Sequence, residues 1–335
     1  MTIKIGINGM GRIGRMVVRS IIESQNKNLK IQHINNRSNS ESTCALIKYD
    51  SIHGKFNAEL GFDENHLIIN NNKITFSQES NIDDINWKKF GVDYVFECTG
   101  KFNAKEKLIA HIKNGAKKVI VSAPCKNADR TIVFGVNERS ISKEDQIISA
   151  ASCTTNCLAP VVHVLNDNFE IEKGFMTTIH AFTSDQRILD NSHKDPRRAR
   201  AASQSIVPTS TGASKAIGEI IPSLKGKLEG VAIRVPTPNV SLVELVFCTN
   251  KDIDIKKINK SFEFASKNKL KNILEITNEK LVSIDFNHHS ASAIVDSSLT
   301  NVVGANMGKI SAWYDNEWGF SNRMCDIAQY LYQKS

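Results

Sequence analysis

Ile3-Lys4-Ile5-Gly6-Ile7-Asn8-Gly9-Met10-Gly11-Arg12-Ile13-Gly14-Arg15-Met16-Val17-Val18-Arg19-Ser20-Ile21 changes its hydrophobic period halfway along, and that change decides the fold. Ile3, Ile5 and Ile7 alternate as a strand does, whereas Ile13, Met16, Val17 and Ile21 recur at helical spacing. Between them lies a Gly9-x-Gly11-x-x-Gly14 turn. Glycines there let the backbone turn tightly and approach a pyrophosphate, while the following helix offers N–H groups and the positive end of its dipole. Such a glycine pattern arises often by chance; the alternating strand before it and the amphipathic helix after it supply the context that gives it meaning. The competing reading is an ordinary glycine-rich turn.

Working outward, a second strand follows at 29–34, and further apolar runs come at 94–98, 119–121, 132–134 and 147–148, with a helical pattern over 105–114. Strand and helix alternating in this way imply right-handed crossovers and a parallel sheet covered on both faces. Residues 1–152 therefore read as an α/β dinucleotide-binding domain of the Rossmann type. After about residue 150 the pattern changes. A helix over 154–168 leads into a strand at 175–182, then a polar, basic loop over 183–203. Strand-like runs at 231–235, 241–247, 292–295 and 309–314 are separated by turns and helical stretches, which reads as an α+β domain with a mixed sheet over 153–318. Met324, Ile327, Ala328 and Leu331 mark a terminal amphipathic helix within 319–335.

Composition narrows the function. The formal net charge is +8, but the basic residues are spread along the chain, and the one dense cluster is Lys194, Arg197, Arg198 and Arg200. With no basic stripe interleaved with aromatics, specific nucleic-acid binding is not expected; anionic small molecules explain the surplus as well. The first residues lack the pattern of a signal peptide, and no apolar run approaches the roughly 18–20 residues of a membrane helix, so a cytoplasmic protein is expected. The seven cysteines are odd in number and scattered, which argues for reduced thiols. No Cys-x-x-Cys pair or Cys/His cluster has zinc-ligand spacing, so no metal is expected.

Chemistry centres on Ala151-Ser152-Cys153-Thr154-Thr155-Asn156-Cys157, at the expected start of a helix. A cysteine there meets unpaired backbone N–H groups and the helix dipole, which favour the thiolate and stabilise an oxyanion formed when it attacks a carbonyl. Cys157, one turn further in, reads as a buried, inert thiol. The bland alternative is that both cysteines only pack. His180, at the end of an apolar strand and before Thr183-Ser184-Asp185, suits a general base, although a lone histidine in such a strand is often structural. Dinucleotide motifs of this type usually carry an acidic residue about 20 positions on, for the ribose 2′-hydroxyl of NAD. Here the second strand ends Ile34-Asn35-Asn36-Arg37. Asn36 removes the charge that would repel a 2′-phosphate and Arg37 attracts one, unless Arg37 simply points to solvent.

Taken together, these residues resemble the phosphorylating glyceraldehyde-3-phosphate dehydrogenase family along essentially the whole chain. The likeness is carried by Ile7-Asn8-Gly9-Met10-Gly11-Arg12-Ile13-Gly14-Arg15, Lys48-Tyr49-Asp50-Ser51-Ile52-His53-Gly54 and the cysteine motif. It continues through Arg234-Val235-Pro236-Thr237-Pro238-Asn239-Val240 and Trp313-Tyr314-Asp315-Asn316-Glu317-Trp318-Gly319-Phe320.

What the resemblance implies is specific. Cys153 is the nucleophile and His180 activates its thiol. Thr183, Asp185 and Arg234 take the substrate phosphate; Ser152, Thr154, Thr211 and Gly212 take the attacking inorganic phosphate. Asn8, Gly9, Gly11 and Gly14 belong to the dinucleotide site, with Arg12, Ile13, Thr99, Gly100 and Ser122 along its cleft and Asn316 on the nicotinamide carboxamide. The terminal helix packs back on the first domain, and the loop 183–203 reaches a neighbouring subunit's cofactor in a homotetramer. The implied reaction is reversible oxidation of glyceraldehyde 3-phosphate to 1,3-bisphosphoglycerate, in glycolysis, gluconeogenesis or carbon fixation.

Two departures bear on the cofactor. NAD-using members usually have Asp where this chain has Asn36, and Leu-Pro where it reads Asn191-Ser192. Ser192 is similar to members whose serine approaches a 2′-phosphate, so the resemblance leans toward dual use of NAD and NADP with NADP favoured. Two other readings stay open: an erythrose-4-phosphate dehydrogenase of the same superfamily, suggested by Asp285-Phe286-Asn287-His288, and a non-catalytic binding protein on the same fold. Pro208-Thr209-Ser210-Thr211-Gly212-Ala213 keeps the second phosphate site and speaks against the first; the presence of Cys153 and His180 speaks against the second.

Overall fold

The computed structural model describes residues 2–25 and 27–334. The chain divides into two compact units, Met1–Ser152 with Ser321–Ser335, and Cys153–Phe320.

In the first unit the strand Ile3–Asn8 buries Ile3, Ile5 and Ile7 completely, and the helix Arg12–Glu23 buries Met16, Val17 and Ile21. Ile3–Asn8 lies between Tyr94–Glu97 and Leu29–Asn35 in a nine-stranded sheet. From Arg130–Thr131 through Ile147–Ser149, Lys118–Val121, Tyr94–Glu97, Ile3–Asn8 and Leu29–Asn35 to Asn72–Ser77, every neighbouring pair is parallel. The chain leaves Ile3–Asn8 toward one side first and returns to pair on the other. The C-terminal end of that strand is therefore a topological switch point, where open α/β sheets leave a crevice.

Two features differ from the sequence expectation. The sheet is not wholly parallel: His66–Ile69 and Leu60–Asp63 extend it by antiparallel pairing beyond Asn72–Ser77. Residues 132–134 are not a strand; pairing stops at Thr131, because the Asn137 side chain accepts from the Val133 N–H (2.8 Å) and donates to the Thr131 carbonyl (2.9 Å), closing a turn. The terminal helix Trp318–Lys334 buries Met324, Ile327, Ala328 and Leu331, and within this unit Ser20 Oγ donates to Asn322 Oδ1 at 3.0 Å. One buried cation interrupts the apolar face of Arg12–Glu23. Arg19 sends its guanidinium to the carbonyls of Ile47 (2.7 Å) and Gly54 (3.0 Å), so hydrogen bonds offset the burial of its charge.

The second unit is built on an eight-stranded mixed sheet. Its central strand Ile171–Ala181 pairs in parallel with Leu228–Val235 and antiparallel with Ser241–Thr249, which pairs antiparallel with Met307–Tyr314. Ser241–Thr249 alternates buried and half-buried residues along its whole length, the pattern of a sheet with one covered face. Register places Met176, Thr178, His180, Arg234, Val243, Leu245, Ala312 and Tyr314 together on the covered face, beneath the helix Cys153–Phe169. Phe175 and Val231 fall on the opposite face and are 51% and 39% exposed. Among the described residues no helix is long and apolar enough to cross a membrane.

The tightest point of the first unit is the glycine turn. Gly9 sits at φ +93°, a backbone that favours glycine, and a Cβ on Gly14 would stand 2.1 Å from the Gly9 carbonyl oxygen. Gly14→Ala is expected to destabilise the unit by about 1–3 kcal/mol in denaturant titration. An unchanged midpoint would show that the turn relaxes without cost.

Candidate active site

The crevice at the switch point holds a cleft of about 210 Å³. Asn8, Gly9, Gly11, Asn36, Arg37 and Thr99 line it. Its fit to a dinucleotide can be tested on the backbone. No side chain caps the start of the helix Arg12–Glu23 at Gly11, and a Cβ on Gly11 would meet nothing closer than 4.0 Å. An uncapped helix start beside open space suits the approach of a pyrophosphate. The residues fit the group.

Several expected cofactor residues lie off this lining. Ile13, Gly14, Gly100 and Ser122 are not among the residues that line the cleft. Arg12 is engaged elsewhere: its two terminal nitrogens grip Asp50 at 2.5 and 3.0 Å. Burial works to raise the Asp50 carboxyl, but the Arg12 fork and the amides of His53 and Ile52 outweigh it and hold the group well below the usual carboxylate range. Asn36 accepts from the Met10 N–H (3.3 Å) and donates to Thr43 Oγ1 (2.9 Å), so it braces the glycine turn. Arg37 is exposed at the cleft rim. Sequence reasoning missed Glu79, which also lines the cleft. Glu79 lies just beyond the neighbouring strand, Asn72–Ser77, where no local spacing could reveal it.

In the second unit Cys153 is the first residue of its helix and half-buried. The residue two before it, Ala151, is held at φ 59°, an unusual backbone for alanine in the turn that delivers the cysteine. His180 Nε2 lies 3.4 Å from Cys153 Sγ. The ring's other nitrogen, Nδ1, stands 2.6 Å from the Ala181 carbonyl and 2.7 Å from Arg234 Nη1. Tyr314 closes the set from below: its hydroxyl is 2.9 Å from both Thr154 Oγ1 and Thr178 Oγ1, and its ring meets His180 edge-on.

Burial and neighbouring charge act in opposite senses on the sulfur. Burial pushes the Cys153 thiol up, opposed by the Arg234 charge and by hydrogen bonds from Thr154. Burial first, and the Arg234 charge second, hold His180 down to about 3. Burial thus works against the charged form of each partner, while Arg234 and the hydrogen bonds at the helix start work toward the thiolate. A neutral imidazole is the form able to accept a proton.

Several residues expected at the two anion sites have partners within the protein. Asp185 is exposed but already paired: it meets Arg198 at 2.5 Å and faces His193 Nε2 at 3.5 Å. Thr154 is buried with its hydroxyl on Tyr314. Thr183 and Ser152 are half-buried, and Thr211 Oγ1 accepts from the Ala213 N–H (3.2 Å) at the start of the helix Ala213–Ile220, with Gly212 between them. Arg198, seen in the sequence only as part of a charge cluster, proves central. It donates to Thr209 Oγ1 (3.0 Å) and to the Ser210 carbonyl (3.2 Å), tying Asp185 to the segment that carries Thr211. Asn316 is buried and accepts from Ser241 Oγ at 2.9 Å. Ser192 lies exposed in a basic concavity with Arg187, His193 and Lys194. Among the described residues no group of three or more His, Cys, Asp or Glu is placed to hold a metal ion.

Removing the cation beside the sulfur should raise the thiol further. The pH profile of Cys153 alkylation by iodoacetamide is expected to move to higher pH in Arg234→Gln. A profile that stays in place would mean that the charge is not felt at Sγ.

Comparison with known proteins fits this geometry. Residues 3–105 match the model of the glyceraldehyde 3-phosphate dehydrogenase NAD binding domain, and residues 152–316 that of the C-terminal domain of the same family. The chain is 49% identical over 328 residues to a glyceraldehyde-3-phosphate dehydrogenase of Cereibacter sphaeroides, covering 98% of each chain. It is 48% identical over 333 residues to glyceraldehyde-3-phosphate dehydrogenase 2 of Bacillus subtilis, covering 99% of this chain and 97% of that one. It is 46% identical over 335 residues to the Geobacillus stearothermophilus enzyme, covering 100% and 99%.

Proposed function

Because the chain belongs to the glyceraldehyde-3-phosphate dehydrogenase family, we propose that it oxidises glyceraldehyde 3-phosphate, with inorganic phosphate, to 1,3-bisphosphoglycerate through a thioester on Cys153. The observation that carries the proposal is the approach of His180 Nε2 to Cys153 Sγ at 3.4 Å, with Arg234 at the same imidazole. Cys153 Sγ forms a bond to the aldehyde carbon as its proton passes to His180 Nε2 and on to the carbonyl oxygen, giving a thiohemiacetal and freeing Nε2. For this Nε2 must carry a lone pair, which requires the Nδ1 proton to point at the Ala181 carbonyl. A substrate phosphate on Arg234 draws that guanidinium from Nδ1 and favours this tautomer. His180 then takes the hydroxyl proton as hydride leaves the same carbon. A bound nicotinamide dinucleotide supplies the hydride acceptor. A phosphate oxygen attacks the thioester carbonyl and the Cys153 thiolate departs, releasing the acyl phosphate. Arg198, Thr211 and Gly212 are proposed to hold that phosphate, and Arg234 with Thr183 the substrate's own.

NAD is the cofactor that the first-domain match supports, and we extend the proposal to NADP as a second acceptor, or the preferred one. Asn36, Arg37 and Ser192 favour a 2′-phosphate; Glu79 in the same cleft opposes one. We further propose a homotetramer, supported by Phe175 and Val231 on an uncovered sheet face and by Ile188, Leu189 and Ile206, which are 71%, 74% and 70% exposed. The free cysteines support a reducing, cytoplasmic setting.

Initial rates with glyceraldehyde 3-phosphate, NAD or NADP, with and without phosphate, test the proposal. Phosphate-dependent turnover is expected with both dinucleotides, with Cys153→Ser at least roughly 10³-fold slower. Turnover indifferent to phosphate would sink acyl phosphate formation and turn attention to erythrose 4-phosphate; activity with NAD alone would remove NADP. Glu79→Gln is expected to raise the NADP-to-NAD ratio of kcat/KM severalfold, since a carboxylate repels a phosphate. An unmoved ratio would show that Glu79 does not face that group.

A further inference from the structure

Beneath the glycine turn lies a buried carboxylate that the reaction does not use. Glu97 ends the strand Tyr94–Glu97, pairs in register with Asn8, and is 1% exposed. Its Oε1 accepts from the Thr99 N–H (2.8 Å) and from the Thr99 hydroxyl. Its Oε2 accepts from Asn8 Nδ2 (2.7 Å) and lies 3.1 Å from His111 Nε2. The tautomer of His111 follows from its other side, where Trp87 Nε1–H donates to Nδ1 at 2.8 Å; the ring proton is then on Nε2 and points at Glu97. Four donors on one carboxylate use its full accepting capacity.

The consequences reach the cleft. The Thr99 hydroxyl, donating to Glu97, also accepts from the Lys101 N–H at 3.1 Å, and its methyl turns toward the glycine turn. A Cβ on Gly9 would lie 2.8 Å from both that methyl and the Thr99 nitrogen. Asn8 Oδ1 accepts from Asn35 Nδ2 (2.9 Å), and Asn35 Oδ1 accepts from Ser77 Oγ (2.8 Å) and the Glu79 N–H (2.9 Å). One carboxylate thus fixes Thr99 and Asn8 directly, and Glu79 through Asn35, on three different parts of the cleft wall.

We propose that Glu97, which does not itself line the cleft, is the positioning residue for dinucleotide binding, acting through Thr99 and Asn8, with Trp87 and His111 fixing its own orientation. The inference rests on the dinucleotide reading of the cleft. In Glu97→Gln the new amide sets a donor against donors, whichever way it turns. Titration of NADH fluorescence with the full-length protein is expected to give a Kd about ten-fold weaker than wild type. Iodoacetamide alkylation of Cys153 without dinucleotide should keep the wild-type rate. Val95→Ala, on the same strand and fully buried, opens a cavity without touching a polar group; it should lower the melting temperature and leave the NADH Kd unchanged.

Wild-type affinity in Glu97→Gln overturns the proposal, as does an equal loss of affinity in Val95→Ala at an equal loss of melting temperature. If Glu97→Gln does not fold, His111→Phe decides, because it removes one donor of the clasp at a buried residue that does not line the cleft; weaker NADH binding supports the proposal and wild-type binding overturns it. A wild-type protein that binds neither NADH nor NAD overturns the cleft reading first, and this inference with it.

Discussion

The Tyr314 hydroxyl, buried and shared between Thr154 and Thr178 at 2.9 Å each, is the contact on which the reactive pair depends. Thr154 follows Cys153 on its helix, and Thr178 lies two residues before His180 on its strand. One phenol therefore sets how deep the helix start sits against the sheet, and with it the reach of the imidazole to the sulfur. Burial pushes the Tyr314 hydroxyl far above its ordinary value, so it remains a neutral donor and acceptor throughout the working range. A helix terminus alone fixes the direction of its N–H groups; it does not fix the distance to a base on another element. That distance comes from this bridge and from the register that puts Thr178, His180 and Tyr314 on one face.

How much of this was legible in the sequence depended on whether the signal was local. The change of period between Ile7 and Ile13 located the first strand, turn and helix, because both periodicities are set by burial of one face. Cys153 and His180 were legible by residue type and by position at element ends. The edge hairpins of the first sheet were not, although Asn70 and Asn71, both at positive φ, are the residues such a turn requires. Glu97 was hidden because an acid in the apolar run Tyr94-Val95-Phe96 breaks the pattern and carries no motif of its own; its partners Asn8 and His111 come from elements far apart in the chain. The run at 132–134 misled for the opposite reason, since apolar residues can be buried by a turn that a single asparagine closes.

The matched segments near the end of the chain also gain a physical meaning. Asn239 Nδ2 donates to Asp315 Oδ2 at 2.8 Å, and Asp315 Oδ1 accepts from the amides of Glu317 and Trp318 at 2.9 and 2.8 Å. Ser241 reaches Asn316. These two stretches are tied to each other as structure, and the buried Asn316 is held by that lock. The strain stored at Val240, a β-branched residue at φ 64°, is borne by the same set of bonds.

The alternation along Ser241–Thr249 gives the second sheet one dry face and one that carries Phe175 and Val231 to water. Any surface that covers the wet face stabilises the folded chain by mass action, because the unfolded chain has no such face to offer. If copies of the chain supply that cover, resistance to heat becomes a property of the solution as much as of the sequence: a dilute sample melts earlier than a concentrated one. Expression level then enters the chain's effective stability on the same footing as any core substitution.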